Sequence, residues 1–329
     1  MKNLKNIACI ITLSISLLFF NSCNNDDDGL FMANAEENIN TDNTNPSTGN
    51  QQTGSEGEIT LYKVTNGSIT KVTDYKVTGS DLEYQKDINK HQQIWSLVRK
   101  IVPLNQLEKM SEFMIYNGDV SGSAGYVFEK NGDLSKWQMG IAINYAYEGG
   151  FNKDGELAYT IIHEFGHILT LNDVQLNASI SQANCTNYYP GEGCAKDNSY
   201  INELYQKYWN DIIDEHTKIQ DNQSEQEKFY NKYSNRFVTN YASTNPGEDI
   251  AEVFATFVTK KDKPSGTNIA EKKILLMYNR SVLVDFRNHI RKNLNLRGKG
   301  NTQSFILPEP GSWKQANTFG NSKKTKCRH

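Results

Sequence analysis

Ala158-Tyr159-Thr160-Ile161-Ile162-His163-Glu164-Phe165-Gly166-His167-Ile168-Leu169 carries H-E-x-x-H inside a run with helical period. At about 3.6 residues per turn, His163 and His167 project from one face, one turn apart, so both imidazoles can reach one zinc ion. Glu164 stands between them, placed to take a proton from a metal-bound water without binding the metal itself. Leu157, Ala158, Ile161, Ile162, Phe165, Ile168 and Leu169 form an apolar stripe that would bury the helix in a core. Core behind and metal in front is the arrangement that hydrolysis by metal-activated water requires. The alternative is a core helix whose two histidines are satisfied by ordinary hydrogen bonds.

Two histidines leave such a metal short of ligands, because a catalytic zinc site holds three protein groups and keeps a position for water. Two candidates lie downstream. Asp173 falls six residues after His167, a spacing that resembles the metzincin pattern, but Thr170 stands where that pattern implies a glycine for a sharp turn. The other candidate lies in the stretch from Tyr241 to Phe254. There Pro246 and the acidic Glu248, Asp249 and Glu252 mark a helix start, and Ile250, Val253, Phe254, Phe257 and Val258 make its core stripe. Glu248 and Glu252 are one turn apart. The first could bind zinc while the second accepts the N–H of a ligating histidine and sets its tautomer.

Taken together, His163-Glu164-Phe165-Gly166-His167 and the set Tyr241, Thr244, Asn245, Glu248, Ala251, Glu252 and Phe254 resemble the paired motifs of gluzincin zinc metallopeptidases. The likeness is to the lethal-factor-type catalytic domain and to zinc metallopeptidase lipoproteins of Bacteroidetes, over residues 155–260. It implies an α+β zincin fold. A small mixed or antiparallel sheet and the active-site helix would form an N-terminal lobe (58–172), followed by a mostly helical C-terminal lobe (173–322). It further implies one catalytic Zn2+ held by His163, His167 and Glu248, with Glu164 as general base and Tyr241 as the hydroxyl that stabilises the oxyanion. A protein or peptide would be the substrate. The interval 168–247 departs from the family by carrying an insert, which bears on substrate recognition more than on chemistry.

The N-terminus reads as a targeting segment. Lys2 and Lys5 precede an apolar run, Ile7 to Phe20, that is short for a membrane span. Phe20-Asn21-Ser22-Cys23 resembles the lipobox of bacterial lipoproteins, with Phe where Leu is usual. It implies a signal peptide over 1–22 and acylation of Cys23, which would hold the protein on a membrane. Asn24-Asn25-Asp26-Asp27-Asp28-Gly29 resembles the surface-export signal of Bacteroidetes lipoproteins and implies an exposed outer-membrane location. Residues 23–57 are too polar to offset their ordering entropy and read as a disordered tether.

The whole chain has 329 residues, 37% of them hydrophobic, enough for a real core, and its net charge of −3 leaves no footprint for nucleic acid. Asn66-Gly67 between two alternating runs predicts a hairpin. A helix is expected from Asp81, capped by Ser80, through Ile101 to Pro103. Strands follow over 112–116, 125–130 and 136–144. In the last, Trp137, Met139, Ile141 and Ile143 alternate with Gln138, Gly140 and Ala142. That small face suits an edge strand over a cleft, or else Gly140 marks a close backbone approach. Cys185 and Cys194 in an exported chain read as a disulfide. Cys327 is left over in a basic tail, 323–329. Helices are expected over 198–220 (buried Tyr205, Tyr208, Trp209, Ile212 and Ile213), 224–238 and 268–294 (buried Ile274, Leu275, Met277, Tyr278, Val282, Val284, Phe286 and Ile290). The last should buttress the Glu248 helix. His216 could protonate a leaving group; His91 and His289 show no partner. Rival readings are a catalytically silent binding lipoprotein on the same scaffold and a zinc hydrolase of a non-peptide substrate. No G-x-S-x-G elbow and no P-loop occurs.

Overall fold

Asn66 at φ 50° and Gly67 at φ 72° take the left-handed backbone that a two-residue hairpin loop needs. They join β1 (Glu58–Thr65) to β2 (Ser68–Asp74) in antiparallel register. The computed structural model describes residues 53–153 and 155–296. Cys23 with the expected signal peptide, most of the tether, and the tail with Cys327 lie outside these residues.

After the hairpin come α1 (Gly79–Lys86), α2 (Ile88–Ile101) and α3 (Leu104–Leu107), then β3 (Met110–Tyr116), α4 (Gly118–Ser121), β4 (Gly125–Glu129) and β5 (Trp137–Ala142). The single helix expected from Asp81 is two helices. Asp87 leaves helical geometry and caps the second, its carboxylate accepting from the Lys90 N–H at 3.2 Å. Thr78, not Ser80, precedes the first. The sheet runs β2-β1-β3-β5-β4, with β3 and β5 parallel and every other neighbouring pair antiparallel. Trp95 of α2 packs on Phe113 of β3 with ring centroids 5.1 Å apart, so the period-2 and helical stripes meet in one core.

The expected edge strand is interior. β5 lies between β3 and β4, and β4 forms the edge. Gly140 marks a close approach instead, because a Cβ there would lie 2.3 Å from the ring of Tyr126, its cross-strand partner. That ring covers the small face, and its hydroxyl accepts from Gln138 Nε2 at 3.0 Å. Alternation reports what a strand's two faces meet, not which strands flank it. The strand also ends earlier than expected, at Ala142, and passes into the helical turn α5 (Ile143–Ala146).

α6 (Glu156–Leu171) then runs beneath β4 and β5. The short pair β6 (Leu176–Asn177) and β7 (Cys194–Ala195) brackets the loop closed by the Cys185–Cys194 disulfide. Replacing both cysteines by serine is expected to lower stability by at most about 2–3 kcal/mol, read as a fall in the urea midpoint at unchanged slope. An unmoved midpoint would show that the loop is constrained without the bond.

The remaining chain is α7 (Tyr200–Tyr208), α8 (Ile213–Thr217), α9 (Gln223–Lys232), α10 (Pro246–Thr259), α11 (Ile269–Tyr278) and α12 (Ser281–Asn293). The expected 198–220 helix breaks at Trp209, whose buried indole N–H donates to Asp249 Oδ2 at 2.7 Å. Tyr205 and Tyr208 are only partly buried, and Ile201 and Leu204 fill the core in their place. α9 stops at Lys232 rather than 238. In α12 the core position falls to Leu283, leaving Val282 52% exposed. α7, α11 and α12 all pack on α10, which packs on α6. The class is α+β, and His163, His167 and Glu248 meet where α6 packs on α10. No helix among the described residues is long and apolar enough to cross a membrane.

Candidate metal centre

α6 is buried along nearly its whole length, so its histidines face another helix rather than solvent. That helix is α10, and the crossing is close because Gly166 has no side chain: a Cβ there would lie 3.2 Å from the Ala251 Cα and 3.3 Å from Phe254 Cδ1. α10 begins where the sequence says it should. Asn245 accepts from the Glu248 N–H at 2.9 Å and Pro246 occupies the first turn. Glu248 and Glu252 therefore point from its first turns at His163 and His167.

Three donor atoms converge. His163 Nε2 lies 3.1 Å from His167 Nε2 and 3.1 Å from Glu248 Oε2, and His167 Nε2 lies 3.4 Å from Glu248 Oε2. Tetrahedral coordination with bonds of about 2.0–2.1 Å places donor atoms about 3.3 Å apart. The triangle has those dimensions, and all three residues are buried. Glu252 Oε1 meets His163 Nδ1 at 2.7 Å, which directs Nε2 at the other two donors. These residues could hold a metal ion.

The electrostatics agree. Burial works against a charge on His163, but the Glu248 and Glu252 carboxylates outweigh it and hold its pKa well above the usual value. Burial pushes Glu248 up, yet His167 and His163 overcome this and bring it well below the ordinary carboxylate range. Two carboxylates set on two imidazoles in a buried site favour a cation.

Glu164 is 7% exposed and faces β4. A Cβ on Gly125 would fall 2.6 Å from Thr160 Cγ2 and 3.0 Å from Glu164 Cγ, so the edge strand rests directly on this carboxylate. Tyr241 begins a 3-10 turn, Tyr241–Ser243, just before α10, and its ring centroid lies 5.7 Å from that of His163. Burial, then the Glu248 and Glu164 carboxylates, push its phenol well above the usual value, so it stays protonated and able to donate.

Other sequence candidates lie elsewhere. Asp173 pairs with Lys109 Nζ at 2.6 Å and is no part of the donor triangle. His216 is 4% exposed, with Trp209 and Phe229 rings set edge-on against it. His91 is a buried core histidine bonded to the Tyr62 hydroxyl at 2.6 Å and the Tyr84 carbonyl at 2.9 Å, and His289 meets Asn293 Nδ2 at 2.9 Å. Sequence reading missed Gly125, Thr239 and the Asp249–Lys273 pair. Only the Gly125 signal, a lone glycine opening a strand, was visible along the chain. No family model, no curated protein and no solved structure matches this chain.

Proposed function

We propose that the chain is a zinc-dependent endopeptidase of gluzincin type on a zincin fold. The observation that carries the proposal is the triangle of His163 Nε2, His167 Nε2 and Glu248 Oε2, with sides of 3.1, 3.1 and 3.4 Å, beside the buried Glu164. Three protein ligands with a neighbouring carboxylate suit catalysis, whereas a structural zinc site takes a fourth protein ligand. Zinc, when bound there, would acidify a water and polarise a carbonyl.

The chain's own residues do the rest. The free edge of β4 offers backbone N–H and C=O groups to an extended peptide, passing it over Glu164. Glu164 accepts the proton of the attacking water and returns it to the departing amine. The protonated Tyr241 hydroxyl donates to the carbonyl oxygen as charge gathers on it. Glu252 keeps His163 in the tautomer that leaves Nε2 free to ligate. Acylation of Cys23 and surface display on the outer membrane complete the proposal and bring protein substrates outside the cell within reach.

The test pairs zinc content with hydrolysis. Wild-type protein should retain about one zinc and Glu248→Ala should lose it or bind it at least about tenfold more weakly, measured by metal analysis after dialysis. Wild type should also cleave members of a mixed peptide library. Zinc binding without cleavage of any peptide would favour the silent binding protein. Equal zinc content in the variant would remove Glu248 from the ligand set.

A further inference from the structure

We infer that Thr239 is a positioning residue that ties the Tyr241 turn to the metal centre through Glu252. The inference rests on the peptidase reading above. Thr239 lies in the irregular segment before the Tyr241 turn and is 3% exposed. Its Oγ1 donates to Glu252 Oε2 at 2.7 Å and accepts from the Ala242 N–H at 3.0 Å. The other oxygen of the same carboxylate meets His163 Nδ1 at 2.7 Å. A continuous chain of hydrogen bonds thus runs from a metal-facing imidazole, through Glu252 and one hydroxyl, to the peptide group next to Tyr241.

Each member has a chemical reason to be what it is. A carboxylate only accepts, so Glu252 needs a donor on the side away from His163, and a backbone N–H at Ala242 needs an acceptor. A hydroxyl is the smallest group that serves both at once. The turn is also closed by local bonds: Ser243 N–H and Ser243 Oγ both donate to the Asn240 carbonyl, at 2.9 and 2.6 Å. Those bonds close the turn but do not set its place over the metal. The Thr239 hydroxyl reaches a carboxylate that touches a ligating imidazole, and the Tyr241 phenol lies beside Glu248, so backbone and side chain of the turn are tied to the same centre. The phenol of Tyr159, one turn before His163 on α6, lies beside the same carboxylate and encloses it from the helix side. Glu252 is therefore gripped from α6 and from the turn. Loss of the hydroxyl should disturb the ligand and the oxyanion donor together. An ordinary turn-capping threonine would disturb neither.

The experiment compares full-length Thr239→Val, which keeps the shape and removes the hydroxyl, with Thr239→Ser, which keeps the hydroxyl. Zinc affinity is read by competition with a chromophoric chelator, and peptide cleavage at saturating zinc. Thr239→Val should weaken zinc binding by about tenfold and lower kcat with little change in KM, and Thr239→Ser should restore both. The valine effect on kcat should be much smaller in a Tyr241→Phe background, because Thr239→Val acts by displacing the phenol hydroxyl that Tyr241→Phe already removes. If the valine protein does not fold, Thr239→Ala, which leaves room for water, carries the same comparison with Thr239→Ser. Wild-type zinc affinity and kcat in the hydroxyl-free variant would overturn the inference while leaving the peptidase reading intact, as would full additivity with Tyr241→Phe. A wild-type protein that binds zinc and cleaves no peptide would instead overturn the reading on which the inference stands.

Discussion

Glu164→Gln is expected to keep its zinc and lose peptide hydrolysis by about 10²–10⁴-fold, the usual contribution of a positioned general base. Glutamine has nearly the same shape, so it can fill the buried space beside Thr160 and the Gly125 backbone without opening a cavity. What it loses is the ability to accept a proton. The proposed metal donors are on His163, His167 and Glu248, so zinc content should match wild type. The fall should reside in kcat, since the carboxylate acts on the water rather than holding the substrate. Metal analysis and steady-state kinetics on one preparation decide the matter. An active Glu164→Gln protein would sink the assignment of this carboxylate as base, and a zinc-free one would show that it belongs to the ligand set.

The second large effect concerns stability. Lys273 Nζ meets Asp249 Oδ2 at 2.5 Å, with both side chains 0% exposed, and the Trp209 N–H donates to the same oxygen at 2.7 Å. Burial pushes Asp249 up and Lys273 down, so desolvation costs more here than the pair's mutual attraction returns. Replacing Lys273 alone by Met leaves a carboxylate buried with one indole donor, and should destabilise the fold by about 3–5 kcal/mol. Replacing the pair together, Lys273→Met with Asp249→Asn, should recover much of that loss, because no uncompensated charge remains. Urea unfolding of the single and double variants reads both numbers. A single variant within about 1 kcal/mol of wild type would show that Asp249 is protonated or reached by water once Lys273 is gone. Asp249 follows Glu248 on α10, so saturating zinc should raise the midpoint of the single variant by linkage.

Locally encoded features were legible along the chain. H-E-x-x-H has meaning because a helix repeats every 3.6 residues, and the apolar stripe around it supplies the helix. The start of α10 is written in Asn245, Pro246 and Glu248, and the hairpin in Asn66-Gly67. The split at Asp87 was missed, because an aspartate inside a polar helical run carries a cap signal that reads as well as a solvated surface position. The other failures were judgements that needed neighbours. Gly140 in β5 left two readings open, an edge strand over a cleft or a close approach, because alternation cannot say that Tyr126 lies across from it. Tyr205 and Tyr208 fit the apolar stripe of one long helix until Trp209 turned inward to Asp249, a partner 40 residues away.

By itself the sequence determined that one helix presents His163 and His167 together, with Glu164 between them, and that a second helix begins at Pro246 and carries Glu248 in its first turn. Those facts follow from backbone periodicity and capping, which act within a few residues. Only the tertiary structure decided that α10 crosses α6 at Gly166, that Glu248 closes the donor triangle while Glu252 turns to His163, and that among the described residues β4 rather than β5 is an outer strand. Such arrangements depend on side-chain volumes meeting across the core, and a residue of the right type carries no mark of the distant partner it will meet.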